Sequence, residues 1–351
     1  SINIPDNVVY ISSSAFYGCK SLTDINVTEN NKYYSSSAGL LFDKNKTELI
    51  KYPAGKSLKN FNIPNGVKSL DRYSFCNCSN LTSINIPESV TYIGIGAFYL
   101  CTNLKSIAIP DSVTKIENIT FTGCSSLTSI SIPESVTYIG LNAFKDCTSL
   151  TSIYIPDSVT LTGLSGTFSG CTSLTNVKLP DVIYIINTNT FAGCSSLLNI
   201  IIPDSVTSIK ECAFEGCKSL TNIAIPESVT KIGTWAFKDC TSLKSIAINN
   251  PDCEISNDKD TIPETAVICG YENSTAQAYA ERYYKRFVAI EDIGDISGSG
   301  EIDLYDAIEI SKAIMGLRTF TDEEMIIADF NMDGTVDLYD AIEIARTLLP
   351  K

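Results

Sequence analysis

Asp329, Asn331, Asp333, Thr335, Asp337 and Asp340 stand at positions 1, 3, 5, 7, 9 and 12 of the stretch DFNMDGTVDLYD, with Gly334 at position 6. Oxygen donors at 1, 3, 5 and 12, a backbone carbonyl at 7, a water-bridging group at 9 and glycine at the sharp turn are the set that wraps a hard divalent cation. Thirty-four residues earlier, DISGSGEIDLYD repeats the frame with Asp295, Ser297, Ser299, Gly300, Glu301, Asp303 and Asp306. The octapeptide DLYDAIEI recurs identically at 303–310 and 337–344, so two loop–helix units of one shape are expected, each holding one Ca2+. The first loop carries Ser at positions 3 and 5, leaving three carboxylates (Asp295, Asp303, Asp306) against four in the second. That difference predicts weaker binding in the first loop.

The elements that position these donors follow from pattern. TDEEMIIA reads as a helix between the two loops, with Thr321 and Glu324 as its capping box. On the helix expected over 304–316, Ile310, Ile314, Ala307, Leu304, Met315 and Ile308 fill one apolar arc of roughly 160°, wider than the ~100° stripe that core packing needs. The helix over 338–349 repeats this with Ile344, Leu348, Ala341, Leu338, Leu349, Ile342 and Tyr339. Part of each arc is therefore left for a partner, unless Leu304 and Leu338 simply pack within the module.

Charge separates this tail from the rest. The chain has 26 Lys plus Arg against 40 Asp plus Glu, and residues 291–351 account for −11 of the net −14. Binding to a phosphate backbone is electrostatically disfavoured, so no nucleic-acid partner is expected. No stretch approaches the ~20 uninterrupted apolar residues of a membrane helix, and no membrane span is expected. Histidine is absent altogether, which removes Ser/His/Asp and Cys/His catalysis and His-ligated zinc.

The first 250 residues are a repeat array. Pro64, Pro87, Pro110, Pro133 and Pro156 lie 23 apart, Pro180 follows after 24, and Pro203 and Pro226 resume the period. Cys19, Cys78, Cys101, Cys124, Cys147, Cys171, Cys194, Cys217 and Cys240 share one register position, with Phe three residues before each and Leu three after. SLTSIxIP then reads as a short strand with Leu, Ile and Ile inward, and ESVTYIGxxAF as the return path. The cysteines of the register are expected to be buried thiols filling a turn. Cys253 and Cys269 lie outside it and are candidates for a disulfide. Ser1 opens on SINIP, the end of a unit that recurs later, so the chain is expected to begin inside a longer protein.

Leu, Ile and Ile on a strand, Phe on the return arm and Cys at the turn resemble the BspA-like leucine-rich repeats of bacterial surface proteins. The resemblance implies a solenoid over 1–250 and a hairpin insertion at about 31–56, with AGLLFD and TELIKY as its strands and Lys44 and Asn45 in the turn. It also implies a C-terminal cap over 251–290, where Ser274 and Gln277 form a capping box. The tandem loops over 291–351, each followed by a helix, lacking an entering helix and carrying Asp rather than Glu at position 12, resemble a dockerin with two EF-hand-like calcium loops. The fold expected is thus α+β in two domains: a leucine-rich-repeat solenoid of short parallel strands, then a small all-α dockerin.

In dockerins the partner is a cohesin module of a scaffoldin, and recognition residues lie at loop positions 10 and 11 and on the helix that follows. Carried over, these are Leu304, Tyr305 and Lys312, matched by Leu338, Tyr339 and Arg346, with Ile308, Met315, Ile342 and Leu349 of the apolar arcs beside them. The duplication implies two binding modes related by about a half turn. The resemblance implies a secreted or cell-surface component of a cellulosome-type multi-enzyme complex, the solenoid acting as a protein-interaction or adhesion module of unknown ligand. On its strand face only Tyr154, Lys178 and Ile201 interrupt a bland surface, which extends to Ser245 and Ala247. A polysaccharide-degrading or carbohydrate-binding component, or a proteinaceous inhibitor, is the alternative. The solenoid's acids mostly occupy one repeated site, such as Glu88, Asp111 and Glu134, a solvated stripe and not a catalytic cleft, so no enzyme is expected.

Calorimetric titration with calcium should resolve two sites, with the second loop filling first. Two equally tight sites, or a tighter site lost on Asp295→Ala alone, would contradict the carboxylate count.

Overall fold

A 23-residue unit is too short to bury its own apolar face, so it can only fold against its neighbours. The computed structural model describes residues 1–162, 165–331 and 334–349, and in it the units stack through two parallel ladders. One ladder uses the predicted strands: Asn60↔Ser83, Ser83↔Ser106 and Ser152↔Asn176 pair in register, continuing through Asn222–Ile225, Ser245–Ile248, Val267–Gly270 and Phe287–Ala289. The other lies on the return path, which also forms strands of two residues such as Tyr92–Ile93, Lys115–Ile116 and Tyr138–Ile139. Two inward residues between polar neighbours were too short a pattern to mark it as strand.

Between the ladders lies one core in which Leu, Ile, Val and Phe recur at every level. The Phe rings from Phe75 to Phe237 form a continuous stack with centroids 5.3–5.7 Å apart. That separation slightly exceeds the ~4.8 Å strand spacing, which an offset stack accommodates. From Cys101 to Cys240 each thiol of the register donates to the Phe carbonyl of the repeat before, as Cys124 Sγ to Phe98 O at 3.2 Å and Cys240 Sγ to Phe214 O at 3.1 Å, whereas Cys78 donates to Tyr52 O. The same carbonyl already accepts within its own repeat, as from Cys101 N to Phe98 O at 3.1 Å, so the thiol adds a second donor that ties one repeat to the next, which an alanine could not supply.

All thirteen cysteines are free, and Cys253 and Cys269 are separately buried rather than bridged. Burial pushes the Cys124 and Cys171 thiols up to about 12, so they stay protonated and unreactive. Cys19 departs from its register: it is exposed, because the Phe16 level lacks the packing of the later ones.

The insertion is a three-stranded antiparallel unit, Tyr34–Ser37, Leu40–Asp43 and Glu48–Lys51, one strand more than the hairpin expected. Its last strand joins the return-path ladder through Leu49↔Leu70. Tyr52 then takes the end place in the aromatic stack, 5.2 Å from Phe75, and the buried Lys51 donates its Nζ to Tyr73 O at 2.6 Å. At the other end helix α1 (Thr275–Arg282), capped by Ser274, buries Ala276, Tyr279 and Ala280 against the solenoid core.

The C-terminal part holds α2 (Leu304–Ile314), α3 (Asp322–Ala328) and α4 (Leu338–Thr347). Among the described residues no helix is long and apolar enough to cross a membrane.

In the native protein a small thiol reagent should label Cys19 rapidly and the other twelve cysteines only on unfolding, counted by absorbance with and without denaturant. Phe144→Ala, at the centre of the stack, should cost about 3–5 kcal/mol, read from denaturant unfolding.

Candidate functional site

The duplicated octapeptide folds twice into the same hydrogen-bonding pattern. Asp303 caps α2 by accepting from Tyr305 N at 2.7 Å, and Asp337 caps α4 by accepting from Tyr339 N at 2.7 Å. Asp306 Oδ2 accepts from Asp303 N at 2.7 Å and Asp340 Oδ2 from Asp337 N at 2.8 Å, closing a reciprocal capping box in each unit. Positions 9 and 12 therefore serve helix initiation as well as any ion.

The loops close on themselves in the same way. Asp295 Oδ2 accepts from Gly300 N at 2.6 Å, and Asp329 Oδ2 from Gly334 N at 2.8 Å. Asp306 Oδ1 accepts from Ser297 N at 2.9 Å, and Asp340 Oδ1 from Asn331 N at 3.1 Å. Both turn glycines have positive φ, +87° at Gly300 and +90° at Gly334, which only glycine adopts freely. In the first loop Ser297 Oγ donates to Asp295 Oδ1 and Ser299 Oγ to the Glu301 carbonyl. Burial works against the Asp295 carboxylate, but the N–H donors of Gly300 and Ser299 and the Ser297 hydroxyl outweigh it and hold its pKa low.

Whether a hard cation fits can be judged from the donors. Asp306 is fully buried, each of its oxygens takes one backbone N–H, and among the described residues no ammonium or guanidinium pairs with it. A carboxylate offers about four acceptor positions, and an uncompensated buried anion is costly, so the residue suits a divalent ion. Among the described residues no three acidic, cysteine or histidine side chains converge as a cluster, and the oxygens that each loop offers are a mixture of carboxylate, hydroxyl, amide and backbone groups. Asp295, Ser297, Ser299, Glu301 through its carbonyl, Asp303 and Asp306 would hold the ion in the first loop. Asp329, Asn331, Thr335, Asp337 and Asp340 would do so in the second, whose Asp333 lies outside the described residues.

The helices pack on one another through the centre of each predicted arc. Ala307, Ile310, Ala341 and Ile344 form their core with Ile296 and Ala328. Leu304, Tyr305 and Met315 stay exposed, as do Leu338, Tyr339 and Leu349, with fractional exposures from 57% to 69%. The two leucines do not pack inside the module. Ile308 and Arg346 are also exposed, whereas Ile342 and Lys312 are half-buried, Lys312 pairing with Glu309 at 2.7 Å. Ile314 and Leu348, placed mid-arc by sequence, are exposed, because the observed helices end at Ile314 and Thr347.

On the solenoid, Tyr154 and Ile201 are exposed, and Lys178 lies 5.6 Å from the Tyr154 ring centroid. Lys178 also faces Asp157 at 3.9 Å and Asp181 at 3.6 Å. The strand face, expected to stay open as far as Ala247, is covered at its end. Ala247 is buried with Val267, Cys269, Val288 and Ile293, and Ile326, Ile327 and Phe330 pack against this cluster. The apolar part of IIADF gives this packing a signal in retrospect, but it reads equally as a helix facing its own module.

Models of known families match both parts: BspA-type leucine-rich repeat region in six copies over 1–55, 52–165 and 164–259, and dockerin type I domain over 293–349. A leucine-rich repeat protein of Bacteroides ovatus is 30% identical, with a TM-score of 0.55, covering 67% of this chain and 68% of that one. Another, from Eubacterium ventriosum, is 31% identical, with a TM-score of 0.52, covering 61% of this chain and 57% of that one. The chain thus spans little more than half the length of the latter. No curated protein matches the chain. Type I dockerins bind calcium and dock to cohesins, and leucine-rich repeats are protein-interaction modules.

Calcium at about 100 times a loop's Kd should stabilise the C-terminal module by about 2.7 kcal/mol for that loop, and EDTA should reverse the gain, read as loss of helical dichroism on heating. Asp306→Ala should abolish the part of that gain due to the first loop.

Proposed function

We propose, for a chain that belongs to the BspA-type leucine-rich-repeat family and ends in a type I dockerin domain, that two calcium ions fold the loops 295–306 and 329–340 into a surface that docks onto a cohesin module of a scaffoldin. The observation that carries this is the pair of equivalent exposed patches, Leu304, Tyr305 and Met315 on one unit and Leu338, Tyr339 and Leu349 on the other. Large apolar side chains exposed at matching positions, on helices whose core faces are already satisfied, are what a partner would bury. Ile308 and Ile342 extend each patch, and Lys312 and Arg346 supply its polar edge. Calcium supplies charge to the loop carboxylates and fixes the entry of α2 and α4; it takes no part in any chemistry.

The exposed patches and the loops beside them are suited to binding a partner. The solenoid is cargo held on an extracellular or cell-surface scaffold, where it acts as an interaction module. Its most distinctive surface is the patch of Tyr154, Lys178 and Ile201, whose exposed apolar groups and cation on ring suit a protein partner.

Because both halves present equivalent side chains, with Met315 matching Leu349 and Lys312 matching Arg346, either can face the cohesin. Calorimetry of the full chain against a panel of cohesins should give tight binding with calcium and none with EDTA. Leu304→Asp with Tyr305→Asp should leave binding within about tenfold of the parent, as should Leu338→Asp with Tyr339→Asp, while the fourfold variant should not bind. Loss of binding from one pair alone would leave a single docking mode.

A further inference from the structure

The two calcium loops share a sequence frame but not an environment. A Cβ built on Gly334, the turn glycine of the second loop, would lie 1.8 Å from Asn222 Nδ2 and 2.7 Å from Asn222 Cγ. At the equivalent Gly300 of the first loop nothing lies within 4 Å. Asn222 belongs to the solenoid strand Asn222–Ile225, and its Oδ1 accepts from Ser245 Oγ of the adjacent strand at 2.8 Å, which fixes the amide with Nδ2 toward the loop.

Asn222 lines cavities on both sides of this contact. One, of about 380 Å³, is shared with Lys244, Arg286 and the position-1 residue Asp329. The other, of about 440 Å³, is shared with Asn199, Asn249 and the position-3 residue Asn331. Phe330, between those two loop residues, packs with Ile326 and Ile327 on the apolar cluster around Cys269. Loop positions 1, 2, 3 and 6 are thus held against the solenoid, whereas Ser297, Ser299 and Gly300 of the first loop are exposed.

We propose that Asn222 is a positioning residue of the second calcium loop: the last repeats hold that loop in its ion-binding shape, and calcium there in turn fastens the C-terminal module to the solenoid. The inference rests on the calcium reading of the loops. A contact that favours the ion-bound shape must, by linkage, be favoured by the ion to the same degree. A loop already held in place also loses less conformational freedom on binding. The solenoid then presents the docking helices at a defined angle while calcium is bound, and this hold is specific to the second loop.

The test uses the full chain and calorimetric calcium titration, with Asp295→Ala isolating the second loop and Asp329→Ala the first. Asn222→Arg should raise the second loop's Kd by at least about fivefold, the lower end of common coupling strengths, and leave the first loop's Kd unchanged. Gly334→Ala should weaken the second loop, and Asn222→Gly added to it should recover part of the loss, because the clashing amide is gone. Gly300→Ala should be indifferent to residue 222. Thermal unfolding of the solenoid, followed for each variant, shows that the repeats remain folded. An unchanged second-loop Kd in Asn222→Arg, an equal change in both loops, or no recovery in the double variant would overturn the proposal. A parent chain that takes up no calcium at either loop would remove the calcium reading and this inference together. Two calcium sites in the parent with a silent Asn222→Arg would remove this inference alone.

Discussion

Everything in this molecule depends on one constraint: a 23-residue unit has an apolar side and two rows of backbone groups that only another unit can satisfy. The parallel ladders and the Phe stack answer both needs at once, since hydrogen bonding fixes the register that brings each ring over the last. The cysteine position follows from the same geometry. A thiol is small enough for the turn and is a donor, so it can reach the Phe carbonyl of the preceding repeat. Burial keeps it protonated, and the twelve buried cysteines then coexist without a bridge.

A stack built this way has ends, and its C-terminal end is closed in steps. The strands Val267–Gly270 and Phe287–Ala289 extend the ladder beyond the last regular repeat, and α1 covers the core beside them. What remains open is the strand face, and there the C-terminal module settles through Ile293, Ile326, Ile327 and Phe330. Its helices α2 and α4 meanwhile pack on each other, and both duplicated patches of Leu and Tyr stay exposed. The two loops differ for the same reason: among the described residues Gly334 of the second lies against Asn222 of the solenoid while Gly300 of the first meets nothing, and a symmetric sequence acquires an asymmetric setting.

The periodic features were legible because each repeats a local physical need. Inward Leu and Ile, stacked Phe, the capping Ser274 and Thr321, and the loop donors with glycine at the turn all declare themselves within one unit of chain. The return-path strands were not legible, being only two residues long. The third strand of the insertion, YSSS, lacks the alternation that marks a strand and is held by its antiparallel neighbour.

The sequence by itself determined the repeat, its core, the helix boundaries to within a turn, and the two loops with their donor types, because these depend on residues close in the chain. The tertiary structure alone decided which surfaces remain open. It buried Ala247, brought Asn222 onto Gly334, and left Leu304 and Leu338 in solvent, although their spacing suited a core equally well. Exposure depends on what else packs nearby, and residues 222 and 334 meet only because the whole array between them and its C-terminal end are folded.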